Sequence, residues 1–281
     1  MPKLSLNTWS LERRLGPTRN VTWDRVYRKQ VTEVEENPED LSLLELPAVL
    51  KAKGFEAAEI SYAQFPDTTE AYLDRVKKAF QEAGVEFASL LLDYGDLSTE
   101  DKERREADLA WCRAWIDHAS RAGAERVRIM AGEGAPDDEE ALNRAADALC
   151  GLAEYAAGLG VRVVTENIGN LASTSINCLS LLRHCNDRIG FTADFGNFPQ
   201  NKERQLGEVL PHAETVHAKA ELDKYSEPDE ADYKRCLDLC SGVGFDGYYS
   251  ITYLGEGDPW EGIGKLQKLV APYLSKEQEA R

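Results

Sequence analysis

Eight short apolar runs recur along the chain, each followed by a longer stretch in which apolar residues return every three or four positions. The runs are KLSLNTW at 3–9, AAEIS at 57–61, VEFASLLL at 85–92, RVRIM at 126–130, VRVVTE at 161–166, IGFTAD at 189–194, TVHAKA at 215–220 and YYSIT at 248–252. Their length and composition predict strands. The 3.6-residue periodicity between them predicts helices, as over Ala71–Ala83, Lys102–Ala122, Glu139–Leu159 and Tyr233–Cys240. Glycines such as Gly84 and Gly123 stand just before the next strand, where a helix C-cap takes a left-handed residue.

Regular β-then-α alternation predicts parallel strands with helical crossovers. Eight units suit a closed (β/α)8 TIM barrel of the α/β class better than an open doubly wound sheet. No G-x-G-x-x-G follows the first strand, which argues against a dinucleotide fold. A length of 281 residues suits one such barrel, so residues 1–281 are expected to form a single domain. The rhythm breaks once, at about 10–40, between the first strand and its helix. A connection this long implies structure of its own or a function, either a lid or an oligomer contact. It would emerge at the C-terminal face, where the active sites of such barrels lie.

Charge and composition narrow the function. The formal net charge of −17 repels nucleic acid and anionic membranes, so neither is expected as a partner. No apolar run approaches the roughly 20 residues of a membrane helix. The start MPKLSLNTW lacks the marks of a signal peptide, which favours the cytoplasm. Six cysteines without a C-x-x-C pair read as buried free thiols rather than a disulfide framework or a structural zinc site.

The chemistry-bearing residues sit where strands end. The fifth predicted strand ends in Glu166, the sixth in Asp194, and the seventh carries His217. Polar residues closing apolar strands at this face occupy the usual catalytic position, and two carboxylates with an imidazole suit a divalent cation. A hydrogen-bonded polar layer at the barrel rim would also use them. Lys219, two residues beyond His217, shares its side of the strand and could hold a substrate oxygen or act as a base; pairing with a barrel carboxylate is the plainer use. Arg128 has the same two readings. Asn7, Asn167 and Asn197 suit sugar hydroxyls, although asparagine also favours turns. Trp9, Tyr253 and Trp260 could stack on a sugar ring or fill core. The GEGDPW segment at 255–260 opens a helix, a common phosphate site, but Glu256 and Asp258 oppose an anion there. An unphosphorylated substrate is therefore expected.

VVTEN at 163–167, DFGNF at 194–198, VHAKAE at 216–221 and YLGEGDPW at 253–260 together resemble the xylose-isomerase-like family of sugar isomerases and epimerases, in order and spacing across most of the chain. The opening LNTWS agrees. The resemblance implies one divalent metal ion (Mn, Co, Mg or Zn) held by Glu, Asp, His and Glu on the fifth to eighth strands. The first three fall on Glu166, Asp194 and His217; the fourth falls on Thr252. It further implies a glutamate pair that moves a proton on either side of the substrate, and threonine cannot be the second member. The implied function is a metal-dependent sugar or polyol isomerase/epimerase-like enzyme, or a one-base lyase or dehydratase, with Glu166 and Lys219 catalytic. The alternative is a degenerate barrel that binds a sugar or a partner subunit. The small-molecule partner is a sugar or polyol, and a homo-oligomer is compatible. The family's three-zinc endonuclease branch needs more ligands than four histidines and this charge allow.

Overall fold

The computed structural model of the chain describes residues 1–186 and 188–274. Eight parallel strands close into a barrel in the order β1-β10-β9-β8-β7-β6-β5-β4, with β4 pairing back to β1. They are β1 (Lys3–Asn7), β4 (Ala57–Ser61), β5 (Glu86–Leu92), β6 (Arg126–Ile129), β7 (Arg162–Glu166), β8 (Gly190–Asp194), β9 (Ala213–Lys219) and β10 (Tyr248–Thr252). The eight predicted runs are these eight strands, to within two residues at each end. The helices α1 (Leu46–Ala52), α2 (Glu70–Ala83), α3 (Lys102–Ala122), α4 (Glu139–Ala157), α5 (Ser175–His184), α6 (Lys202–Val209), α7 (Glu230–Gly242) and α8 (Pro259–Leu274) return the chain between strands. This is the (β/α)8 barrel that the alternation implies.

Side chains alternate along each strand, so one set faces the helices and the other the barrel axis. Val216 and Ala218 of β9 are buried against the helical layer, where the Tyr233 hydroxyl of α7 donates to the Ala218 carbonyl. Thr215, His217 and Lys219 alternate with them. At the N-terminal end of the barrel, Arg126 and Arg162 both donate to Glu214, and Tyr248 donates to Glu86 and Glu125. That ionic cap leaves the opposite end for chemistry. Gly84 and Gly123 end α2 and α3 with φ of 63° and 81°, the left-handed conformation that a side chain disfavours.

The long first connection has a structure of its own. A 3-10 segment over Thr8–Arg14 leads into an antiparallel hairpin, β2 (Thr18–Asp24) with β3 (Lys29–Glu35). The hairpin lies toward α3: Arg28 at its tip pairs with Asp101 and Glu103, and Gln30 donates to Asp108 at 3.2 Å. The Tyr62 hydroxyl accepts from Val21 N–H at 2.9 Å.

The cysteines depart from expectation. Cys150 of α4 and Cys185, just past α5, form a disulfide with a Cα separation of 5.4 Å. The other four are buried free thiols. Thirty-five residues separate the pair, and only the packing of neighbouring helices brings them together.

Asp108 is fully buried and accepts hydrogen bonds from the Tyr94 hydroxyl at 2.6 Å, from Asp96 N–H at 2.9 Å and from Gln30. Asp108→Ala strands the first two donors inside the protein. Urea unfolding should show a loss of about 2–3 kcal/mol, and limited proteolysis should cut the hairpin faster. A loss below about 0.5 kcal/mol would mean that this network does not hold the hairpin.

Candidate functional site

Three donors meet at the C-terminal end of the barrel because three neighbouring strands end in step. In the parallel register Asp194 lies beside His217, and Thr192 of the same strand lies beside Glu166. The His217 Nδ1 is 3.3 Å from Glu166 Oε1 and 3.7 Å from Asp194 Oδ2. One donor atom from each of the three residues falls within 4.8 Å of the others. All three side chains are buried.

The backbone around them is also fixed. Asn167 bridges β7 and β8, its amide donating to the Asp194 carbonyl at 3.0 Å while its oxygen accepts from Asp194 N–H at 2.7 Å. Gly196 N–H donates to Asp194 Oδ1 at 2.6 Å. Asn197 donates to Glu166 Oε1 at 3.1 Å.

Glu59, on β4 across the barrel, faces the far nitrogen of the imidazole. Its Oε2 lies 3.0 Å from His217 Nε2, and no part of Glu59 is exposed. The contact meets ion-pair distance but not hydrogen-bond direction, so Nε2 and both Glu59 oxygens lack a directed partner. Arg128 Nε sits in the same relation to Glu166 Oε2, at 3.0 Å. The rest of the Arg128 fork is occupied, one nitrogen by the Leu92 carbonyl at 3.0 Å and the other by Asp93. Asp93 also accepts from Trp9 Nε1 and Ser61 Oγ, each at 2.9 Å. Burial raises the Asp93 carboxyl, but Arg128 and these donors outweigh it and hold the group below the usual aspartate range. Burial lowers His217, yet Glu166, Glu59 and Asp194 together push it well above an ordinary histidine.

A cavity of about 390 Å³ opens over this cluster. Asn7, Trp9, Arg128, Glu166, Asp194, Asn197, His217, Lys219 and Thr252 line it. Thr252 is the register partner of Lys219, and its hydroxyl donates at 3.5 Å to its own strand. Three residues singled out from the sequence are placed elsewhere. Asn167 is consumed in the strand bridge. The Tyr253 ring is buried, and its hydroxyl donates to the Ser226 carbonyl at 3.0 Å. Trp260 lies under Lys53 at 4.3 Å on the outer layer. Alternation explains Tyr253, since it follows the inward-facing Thr252. Lys219 does not pair with a carboxylate: its only polar contact among the described residues is Asn197 Oδ1 at 3.4 Å. Arg128 is paired, with Asp93 and Glu166.

Five lining or supporting residues were not singled out from the sequence: Glu12, Glu59, Asp93, Ile168 and Leu254. Asp93 carried a readable signal, an acid closing the apolar run VEFASLLL. Glu59 carried a weaker one, a lone charge inside AAEIS. The N-terminus of α8 is filled by Asp258, which accepts from Trp260 N–H at 3.1 Å, while Glu256 pairs with Arg13 at 2.6 Å.

The donors fit a divalent ion. Two ligands each about 2.1 Å from one ion lie roughly 3–3.5 Å apart, close to the spacings around His217 Nδ1. A carboxylate on the far nitrogen of a ligating histidine is the usual supporting arrangement, and Glu59 occupies that position.

The chain belongs to the xylose isomerase-like TIM barrel family, whose pattern matches residues 47–271. Many solved structures share its fold, among them three at low sequence identity. L-ribulose 3-epimerase superposes with a TM-score of 0.73 at 15% identity, covering 98% of this chain and 95% of that one. A xylose isomerase-like TIM barrel protein from Mycobacterium smegmatis, in complex with magnesium, gives 0.67 at 16% identity, with 98% of each chain covered. The IOLI protein with a zinc atom gives 0.70 at 15% identity, covering 99% and 100%. No curated protein matches significantly by sequence. Among the described residues, no helix is long and apolar enough to cross a membrane.

The raised His217 sets a pH dependence. In the metal-free protein the protonated imidazole among carboxylates stabilises the fold fully below the unfolded value of about 6.5. That contribution fades as pH rises through the higher folded value. Thermal melts in chelator should therefore fall across this window, and His217→Gln should flatten the fall. Added zinc should raise the melting temperature more as pH rises, because ligation needs the deprotonated ring. A chelated wild type whose stability is flat over the same range would contradict the protonated state.

Proposed function

We propose that this chain is a divalent-metal-dependent enzyme of the isomerase or epimerase type, acting on a small unphosphorylated sugar or polyol. The observation that carries the reading is the convergence of Glu166, Asp194 and His217 beneath a cavity of sugar size. The similarity in fold to L-ribulose 3-epimerase, and to barrels crystallised with magnesium and zinc, supports it.

Glu166, Asp194 and His217 would hold the metal, which when bound would lower the cost of negative charge developing on a substrate oxygen. Glu59 holds the His217 ring so that Nδ1 faces the two carboxylates. Glu166 is placed to take a proton from a carbon beside the substrate carbonyl, with Asn197 and Arg128 fixing its two oxygens. Lys219, unpaired with any carboxylate among the described residues, carries a cation into the cavity, where it can hold a substrate oxygen. Asn7, Asn197 and Trp9 offer amide and indole surface to hydroxyls and ring carbons.

Thr252 favours a second reading. Its neutral hydroxyl can neither charge the metal nor accept a proton from carbon near neutral pH. Removal by Glu166 alone would then lead to elimination, as in a one-base lyase or dehydratase.

Incubation with Mn in deuterated water tests the shared first step on L-ribulose, D-fructose and D-tagatose, chosen because L-ribulose 3-epimerase and D-psicose 3-epimerases crystallised with D-fructose or D-tagatose share the fold. Deuterium should enter at the carbon beside the carbonyl, and Glu166→Gln should abolish entry; equal exchange in that variant would remove Glu166 as the base. A second experiment concerns position 252. Thr252→Glu places another carboxylate facing the ion and should tighten metal binding by about tenfold or more in calorimetric titration. Equal or weaker binding would mean that this position does not face the metal.

A further inference from the structure

Within the reading above, the return of the proton has no residue on β10 to perform it. We infer that Glu12 supplies the second carboxyl group, from the opposite wall of the cavity. Three observations place it there. Glu12 lines the same cavity as Glu166 and Thr252. It lies on the 3-10 segment that follows β1, and β1 stands four strands from β7 in the ring of eight, directly across the barrel from Glu166. The segment is also stapled to the end of β10. Ser10 Oγ donates to the Ile251 carbonyl at 3.3 Å and accepts from Tyr253 N–H at 2.9 Å, bracketing Thr252. Glu12, two residues on from this staple, lines the cavity together with Thr252.

Its side chain is uncommitted. Among the described residues Glu12 has no ion pair or side-chain hydrogen bond, and it is half-buried. Its neighbour Arg13 is turned to Glu256 and the Gly255 carbonyl. Burial raises the Glu12 carboxyl first, with Glu35 and Glu256 adding to the rise and Arg13 opposing it. A carboxyl with a raised pKa across from a carboxylate fits a donor facing a base.

The step balances without any oxidant. The C–H bond beside the carbonyl breaks, its proton passes to Glu166, and the electron pair forms the enediolate. Glu12 then gives its proton to the same carbon from the other face, forming a new C–H bond of inverted configuration. One proton taken up at Glu12 from water and one lost from Glu166 restore the site. The result is epimerisation rather than elimination.

The test compares wild type, Glu12→Gln and Glu166→Gln with Mn and the same three ketoses in deuterated water, following both deuterium entry and epimer formation. Wild type should do both. Glu12→Gln should keep deuterium entry but lose epimer formation by about 100-fold or more, with unchanged metal affinity by calorimetry. Glu166→Gln should lose both. In a 13C-carboxyl titration, Glu12 should titrate above an exposed glutamate. Epimer formation in Glu12→Gln within twofold of wild type overturns the inference, as does deuterium entry without epimer in wild type or an ordinary Glu12 titration; Glu166 keeps its role in each case. A wild type that neither exchanges nor epimerises any of the ketoses contradicts the enzyme reading itself.

Discussion

Burying several carboxylates in one small space is costly, and the arrangement of the barrel end follows from how that cost is met. Glu59, Glu166, Asp194 and Asp93 converge within a few ångströms of one imidazole and one guanidinium. His217 touches three of the four. Arg128 holds Asp93 and Glu166. Neither cation forms a full set of directed hydrogen bonds, so the cluster is held by charge more than by hydrogen-bond geometry.

The remaining architecture supports this cluster. Parallel register sets Asp194 beside His217 and Thr252 beside Lys219, so polar side chains arrive in layers. Salt bridges and hydrogen bonds close the N-terminal end, and the hairpin is tied to the start of α3, while the cavity lies over the donors. Ser10 ties the entry segment to β10 and so sets the wall opposite β7. Opposed walls matter to any reaction that removes a proton on one face and returns one on the other.

Much of the fold was legible in the sequence, because strand and helix periods differ and the chain repeats them eight times. AAEIS and YYSIT match β4 and β10 to the residue. The acids that end strands were legible too, since a charge closing an apolar run has few structural uses. Glu59 was harder to read, because its role depends on β4 lying across the barrel from β9, which no local pattern encodes. Glu12 sits in a segment whose periodicity fits neither strand nor α-helix. The Cys150–Cys185 bond depends on the packing of α4 beside α5. Tyr253 and Trp260 have chemistry that suits a sugar, but the Tyr253 ring is buried with its hydroxyl on the Ser226 carbonyl and Trp260 stacks with Lys53, placements that follow from alternation and helix packing.

Anomalous diffraction at the zinc edge, from crystals grown with zinc, tests the central claim most directly. The account predicts one dominant peak at the barrel mouth, about 2.0–2.2 Å from Glu166 Oε1, Asp194 Oδ2 and His217 Nδ1, with Glu59 still facing Nε2. A peak bound by other residues, or none at this position with zinc in excess, would contradict it.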